Sequence, residues 1–211
     1  MSSMEETFGL LIEQAARTRR GRPGHDLEAV LTAAVQLFNE RGYDATSMDD
    51  LARRLKITKS SVYHHVRSKQ ELLRLAVNHA LDGLDDAMAQ VQGMTEATAL
   101  ERLEKLIELS VVVLAQRLPY VTLLLRVRGN TDVETEALFR RRVFDQQVTA
   151  LVRQAQAEGA IRADVDPPTA ARLVFGMVNS LIEWYSPERG GADELAVTVS
   201  ALAFHGLRTR Q

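Results

Sequence analysis

Between Thr46 and Glu71 three helix starts crowd together, and no other stretch restricts the fold as much. In "TSMDDLARRL" Thr46 and Ser47 each precede an aspartate three residues on, Asp49 and Asp50, as capping boxes require. Thr58 caps a second short helix that runs to about Val66, and "SKQELL" opens a long one with Ser68 and Glu71. Only two or three residues around Lys56 and Ile57 separate the two short helices. Two short helices on so tight a joint make a helix-turn-helix unit.

The rest of the chain reads as helix too. From the cap Asp26, apolar residues Leu27, Val30, Leu31, Ala34, Leu37 and Phe38 recur at helical spacing up to Gly42. Further helices are expected at about 95–116, 119–128, 131–158, 167–186 and 192–208. Thr131 with Glu134 starts the third of these, Gly159 stops it, and Asp166 before Pro167 and Pro168 starts the next. No segment alternates as a strand does, so the expected class is all-α. Residues 1–16 form either an extra amphipathic turn or two or a frayed tail. "RTRRGRPGH" (17–25), broken by Gly21, Pro23 and Gly24, is a flexible basic arm.

Several chemistries are excluded. With no cysteine there is no disulfide, thiolate metal site or iron–sulfur cluster. No G-x-S-x-G elbow, phosphate loop or H-E-x-x-H is present, so an enzyme would need a catalytic set assembled from distant residues. No apolar run approaches the roughly 20 residues that span a bilayer, and the first residues carry acids where a secretory signal needs bases. A cytoplasmic protein without membrane contact and without cofactor is expected. Its net charge of −2 is unevenly spread: Arg17 to Lys69 carries 11 bases and 6 acids, net +5, leaving −7 for the rest. The basic front suits a polyanion.

"TKSSVYHHVRSK" (58–69) sets two histidines side by side among cations and hydroxyls. At about 100° per residue, Lys59, Ser60, Tyr63 and His64 share one arc, and Ser61, Val62, His65 and Val66 take the other. Adjacent helix residues do not face each other, and the positions four away from His64 and His65 are Ser60, Ser61, Ser68 and Lys69. A zinc site needs three or four ligands and finds none there. One face packs; the other offers hydrogen-bonding groups suited to base edges and phosphates.

"GYDATSMDDLARRLKITKSSVYHHVRSKQELL" (42–73) resembles the DNA-binding domain of tetracycline-repressor-type (TetR family) transcriptional regulators. The matching features are the Gly-Tyr before Thr46, Leu51-Ala52, "SSVYHHV" as recognition helix, and "SKQELL". The resemblance implies that Thr46 and Ser47 meet phosphate, that Thr58, Lys59, Ser60 and Ser61 reach bases and nearby phosphates, that Tyr63, His64 and His65 contact backbone or thymine methyl, and that Lys69 clamps a phosphate. Lys56 stands where the family usually has glycine, and a left-handed backbone there would cost about 1 kcal/mol. Arg20 and Arg22 in "RGRP" resemble a minor-groove arm, with a solvated basic tail as the alternative.

The domain reading is then a basic extension (1–24), a three-helix helix-turn-helix DNA-binding domain (25–70) and a larger helical ligand-binding and dimerisation domain (71–211). The helix near 167–186 has two apolar stripes, and a surface helix needs one. Leu173, Met177, Leu181 and Trp184, with Leu195, Val199 and Leu202 of the last helix, are the expected dimer face, the resemblance supplying a second copy as partner. A buried core helix in a monomer is the alternative. The resemblance also implies an effector pocket, for which Leu106, Ser110, Tyr120, Leu124, Phe144, Asn179 and Glu183 are candidates, with Arg126 and Arg128 for an anionic head. An apolar, anionic effector such as an acyl-CoA follows, and a solvated arginine face with ion pairs is the competing reading. The expected function is a dimeric repressor of double-stranded operator DNA, released by that effector only through the long helix that opens at Ser68; a helical adaptor without DNA contact, or a helical enzyme with no recognisable motif, is the alternative.

Overall fold

Helix caps set the architecture. In the computed structural model, which describes residues 26–186, 188 and 190–205, nine α-helices follow in order: α1 (Leu27–Arg41), α2 (Met48–Leu55), α3 (Lys59–His65), α4 (Lys69–Gln92), α5 (Ala99–Gln116), α6 (Leu118–Arg126), α7 (Asp132–Ala157), α8 (Pro167–Trp184) and α9 (Ala192–His205). The arm with Arg20 and Arg22, and residues 206–208 of the last predicted helix, lie outside the described residues. Asp26, Ser47, Thr58, Ser68, Thr98, Thr131 and Asp166 each accept a first-turn amide with a side-chain oxygen, satisfying an amide the helix itself leaves unpaired. Two starts differ from expectation. α5 begins at Thr98, whose capping box uses Glu101, rather than near residue 95. Of the pair Thr46–Ser47 only Ser47 caps, in a box with Asp50.

α1, α2 and α3 pack as a small bundle around Val30, Leu37, Phe38, Leu51 and Val62, and α1 also lies against the N-terminal half of α4. α4 continues into the second layer, where it packs on α5, α6 and α7; α8 rests on α7, and α9 lies along α5. Gly83 leaves room for neighbouring side chains against α4: a Cβ there would stand 2.8 Å from a Val113 methyl and 2.8 Å from the Arg117 guanidinium. Among the described residues no single helix is long and apolar enough to cross a membrane, and α5 and α6 meet at a bend of 101°.

α6 ends at Arg126, two residues before expectation, because the next turn is wrapped around one side chain. The buried Glu134 carboxylate accepts the backbone N–H groups of Arg128 (3.0 Å), Gly129 (2.8 Å) and Asn130 (2.9 Å). Gly129, at φ 88°, supplies the backbone that turns three amides toward one acid. Glu134 therefore does not close a capping box with Thr131; it anchors the α6–α7 loop instead.

Candidate DNA interface and effector cavity

The tight joint forms as its sequence requires. Lys56 adopts the left-handed conformation, φ 56° and ψ 39°, and is the one non-glycine with positive φ among the described residues. The Ile57 N–H donates to Ala52 O (3.1 Å), closing α2 and aiming α3 away from it. On α3, Val62 and the following Val66 are buried. Lys59, Ser60, Tyr63 and His64 are exposed together with the cap Thr58, while Ser61 and His65 are half-buried at the edge. The His64 and His65 rings stand edge to face with centres 5.6 Å apart. α3 thus presents a cation, hydroxyls, a phenol and an imidazole on one side.

One residue expected to meet phosphate has different work in the protein, and a second is also tied to it. Thr46 is buried and its hydroxyl donates to Gly42 O at 2.8 Å, so its side chain holds the α1–α2 turn and cannot meet DNA. The Lys69 ammonium donates to Tyr43 O (2.8 Å) and lies 4.2 Å over the Tyr43 ring, which ties the start of α4 to the same turn. Lys59 pairs with Asp49 of α2 at 2.8 Å, both half-exposed, and this hydrogen bond raises its pKa. If Lys59 meets DNA, an acid beside it opposes phosphate. Asp49→Asn should strengthen binding to every duplex roughly fivefold, on the order of one charge–charge interaction in water, and steepen the salt dependence by about one unit. Fluorescence anisotropy over a salt series measures both; unchanged binding would remove Asp49 from the interface.

In the second layer α4 to α8 enclose a chamber of about 50 Å³. Its apolar wall comes from Leu84 of α4, Val113 and Leu114 of α5, Val121, Leu124 and Leu125 of α6, and Phe144, Phe175 and Val178 of α7 and α8. Its polar members are Ser110, Arg141, Asp145 and Asn179. The Ser110 hydroxyl is satisfied inside its own helix by Leu106 O at 2.7 Å. Arg141, Asp145, Phe175 and Asn179 also line a second space of about 530 Å³, an outer groove between α7 and α8 that adds Gln146, Thr149, Arg153, Arg172 and Gly176. The two spaces share a wall, and charge is confined to that wall and the groove beyond it. Burial pushes the Asp145 carboxyl up against the opposing charges of Arg141 and Arg172.

Of the predicted effector residues, the structure brings Ser110, Leu124, Phe144 and Asn179 together in the chamber. Leu106 is buried in the core behind it. Tyr120 points toward the reading head, its ring 4.5 Å from His79 and its hydroxyl 3.4 Å from Thr32. Arg126 donates to Asn39 O of α1 at 2.9 Å, Arg128 is exposed on the Glu134-anchored loop, and Glu183 is exposed on the outer side of α8. The arginines that do reach the groove are Arg141, Arg153 and Arg172. A sequence signal for them existed: Arg141, Asp145, Thr149 and Arg153 recur every four residues along α7, a polar stripe beside the apolar one.

Two family models match the chain: "Bacterial regulatory proteins, tetR family" over residues 30–76, and "Tetracyclin repressor-like, C-terminal domain" over residues 96–207. The chain belongs to the TetR family. As a TetR-family protein it is a DNA-binding transcriptional regulator and not an enzyme. It is 24% identical over 194 residues to the HTH-type transcriptional repressor KstR2 of Mycolicibacterium smegmatis, covering 86% of this chain and 92% of that one. A TetR-family member from Streptomyces coelicolor A3 superposes with a TM-score of 0.79 at 53% identity, over 85% of this chain and 91% of that one. AibR, solved in complex with isovaleryl coenzyme A and operator DNA, superposes with a TM-score of 0.71 at 26% identity, over 84% and 97%.

The outer face of α8 and α9 in this TetR-family chain is apolar and carries Leu173, Met177, Trp184 and Leu202 of the expected dimer face, but not Leu181, Val199 or Leu195. Leu173 (66%), Trp184 (53%), Leu202 (68%), Met177 and Val197 are exposed. Leu181 (1%) and Val199 (7%) are buried in the protomer's own core, and Leu195 is half-buried against it. The reason is helical drift. Each four-residue step overshoots a full turn by about 40°, so Leu181, two steps past Leu173, has rotated onto the side of Val174 and Val178. On α9 Val199 groups inward with Ala196, Ala203 and Phe204.

Proposed function

We propose that this regulator is a homodimeric repressor of a palindromic operator, released by a small effector with an apolar end and an anionic head, an acyl-CoA thioester. The reading head supports base and phosphate contacts from Ser47, Thr58, Lys59, Ser60, Ser61, Tyr63, His64 and His65. Two such heads about 34–36 Å apart would meet successive major grooves. Leu173, Met177, Trp184, Val197 and Leu202 are the proposed dimer seam.

The observation that carries the effector reading is the apolar chamber opening onto arginines. Arg141, Arg153 and Arg172 take the role first expected of Arg126 and Arg128. None of the three makes a hydrogen bond or a close ion pair with the described residues, whereas the neighbouring Arg140 is held by Asn78, Asp82 and Asp85. Asp145 and Asp166 bias these guanidinium groups only at a distance, and forks with their N–H donors left open beside a cavity suit phosphates. The groove's volume is that of a small-molecule site, and AibR, of the same fold, was solved with isovaleryl coenzyme A.

Calorimetry with isovaleryl-CoA, with and without operator DNA, tests the reading. The operator should weaken thioester binding by the same factor by which the thioester weakens operator binding, about 5- to 150-fold. The double variant Arg153→Ala/Arg172→Ala should bind the thioester at least roughly tenfold more weakly, since hydrogen bonds to charged groups contribute about 1.5–3 kcal/mol. Its operator affinity without effector should not change. Equal thioester affinity in the presence and absence of operator would rule the compound out as the inducer.

A further inference from the structure

The two spaces differ tenfold in volume, and the smaller one sets a limit on the acyl group. Resting on the effector reading above, we propose that the inner chamber selects a short acyl chain and rejects long-chain and polycyclic thioesters. The chamber offers about 50 Å³ where the groove offers about 530 Å³, room for a short hydrocarbon tip and not for a long chain or a ring system. The walls do not offer more room. Leu114 and Leu124 are buried core residues, and Phe144 packs edge to face on Phe175, with ring centres 5.2 Å apart. A longer chain must either push these helices apart or fold back into the polar groove, and forcing extra methylenes into a packed core is unfavourable.

Polarity fixes which portion of the ligand stops where. Ser110 already has its hydrogen bond within α5, so the depth of the chamber asks for nothing but hydrocarbon. Arg141 and Asn179 stand on the wall shared with the groove, and neither donates a hydrogen bond to the described residues. A carbonyl oxygen at that wall finds two kinds of N–H donor, the acyl chain points inward, and the phosphates run out along Arg153 and Arg172. The hydrocarbon is therefore measured from the boundary inward.

The test is a series of coenzyme A thioesters titrated calorimetrically into the full chain: acetyl, propionyl, isovaleryl, octanoyl and palmitoyl, with free coenzyme A as reference. Affinity should rise about three- to fourfold for each methylene up to isovaleryl, the gain expected for a buried CH₂, and fall at least roughly tenfold at octanoyl and palmitoyl. Two variants move the limit in opposite directions. Ser110→Leu fills the chamber and should reduce isovaleryl-CoA to the affinity of free coenzyme A, leaving the latter unchanged. Phe175→Leu enlarges it and should shift the optimum to a longer chain, a readout that stands even if Ser110→Leu folds poorly. If palmitoyl-CoA binds the unaltered protein as tightly as isovaleryl-CoA, the length limit is wrong while the effector reading survives. If neither coenzyme A nor any thioester binds, the effector reading fails and this inference with it.

Discussion

Leu202→Glu should halve the particle mass in light scattering and weaken operator binding by about two to four orders of magnitude. The second figure is the advantage of holding two heads in one assembly, whose second contact is made at the effective concentration set by the first. The protomer itself should remain folded, because Leu202 is 68% exposed and makes no contribution to the core. Substitutions at such sites usually move stability by no more than about 0.5 kcal/mol. A charge at Val199 or Leu181 is a different experiment. Both are buried, and an unpaired carboxylate there would unfold the helical layer rather than separate one protomer from its partner. Circular dichroism separates these outcomes. If Leu202→Glu remains dimeric at micromolar concentration, the exposed stripe of α8 and α9 is not the seam.

The second large effect concerns how the effector reaches the DNA. The sequence predicts a route through α4 alone, yet α6 also joins the two layers. On one side Val121, Leu124 and Leu125 line the chamber. On the other, Pro119 O accepts from Asn39 Nδ2 at 2.8 Å and Arg126 donates to Asn39 O at 2.9 Å, so a single residue of α1 is gripped at both ends of α6. Tyr120 packs on His79, whose pKa is lowered by burial and then by the charge of Arg117. Asn39→Ala removes the side-chain half of the grip. Operator affinity without effector should stay within about threefold, the loss of one modest hydrogen bond being borne mainly by the inter-layer contact. The release factor on adding isovaleryl-CoA should fall from the 5- to 150-fold range of ordinary coupling to under about threefold. Full release by the variant would return the coupling to α4 alone.

Much of this was legible in the sequence, and the failures share a cause. Caps are local, so Asp26, Ser47, Thr58, Ser68, Thr131 and Asp166 could be read from a few residues each. The reading helix follows from its own arc. What could not be read is where a polar side chain finds its partner across the fold. Thr46 looks like a cap until Gly42 O is brought beside it. Arg126 and Arg128 look like effector contacts until Asn39 and Glu134 are in place. Arg140, Arg141 and Arg142 are indistinguishable in sequence, yet one is paired to α4, one opens onto the chamber and one faces solvent. The stripes on α8 misled for a geometric reason, because a period of four drifts and a period of 3.6 does not.

Trp184 is the chain's one tryptophan, and its position makes it an optical probe. It lies in line with Leu173 and Met177, half in water, and outside the lining of both the chamber and the groove. An indole in that setting emits at long wavelength, and covering it with a second copy at the proposed seam would move the emission to the blue. Association can therefore be followed on unlabelled protein by simple dilution, far below the concentrations that light scattering needs. Because the ring touches neither space, a spectral change on adding a thioester would report movement of the seam itself rather than occupancy of the site.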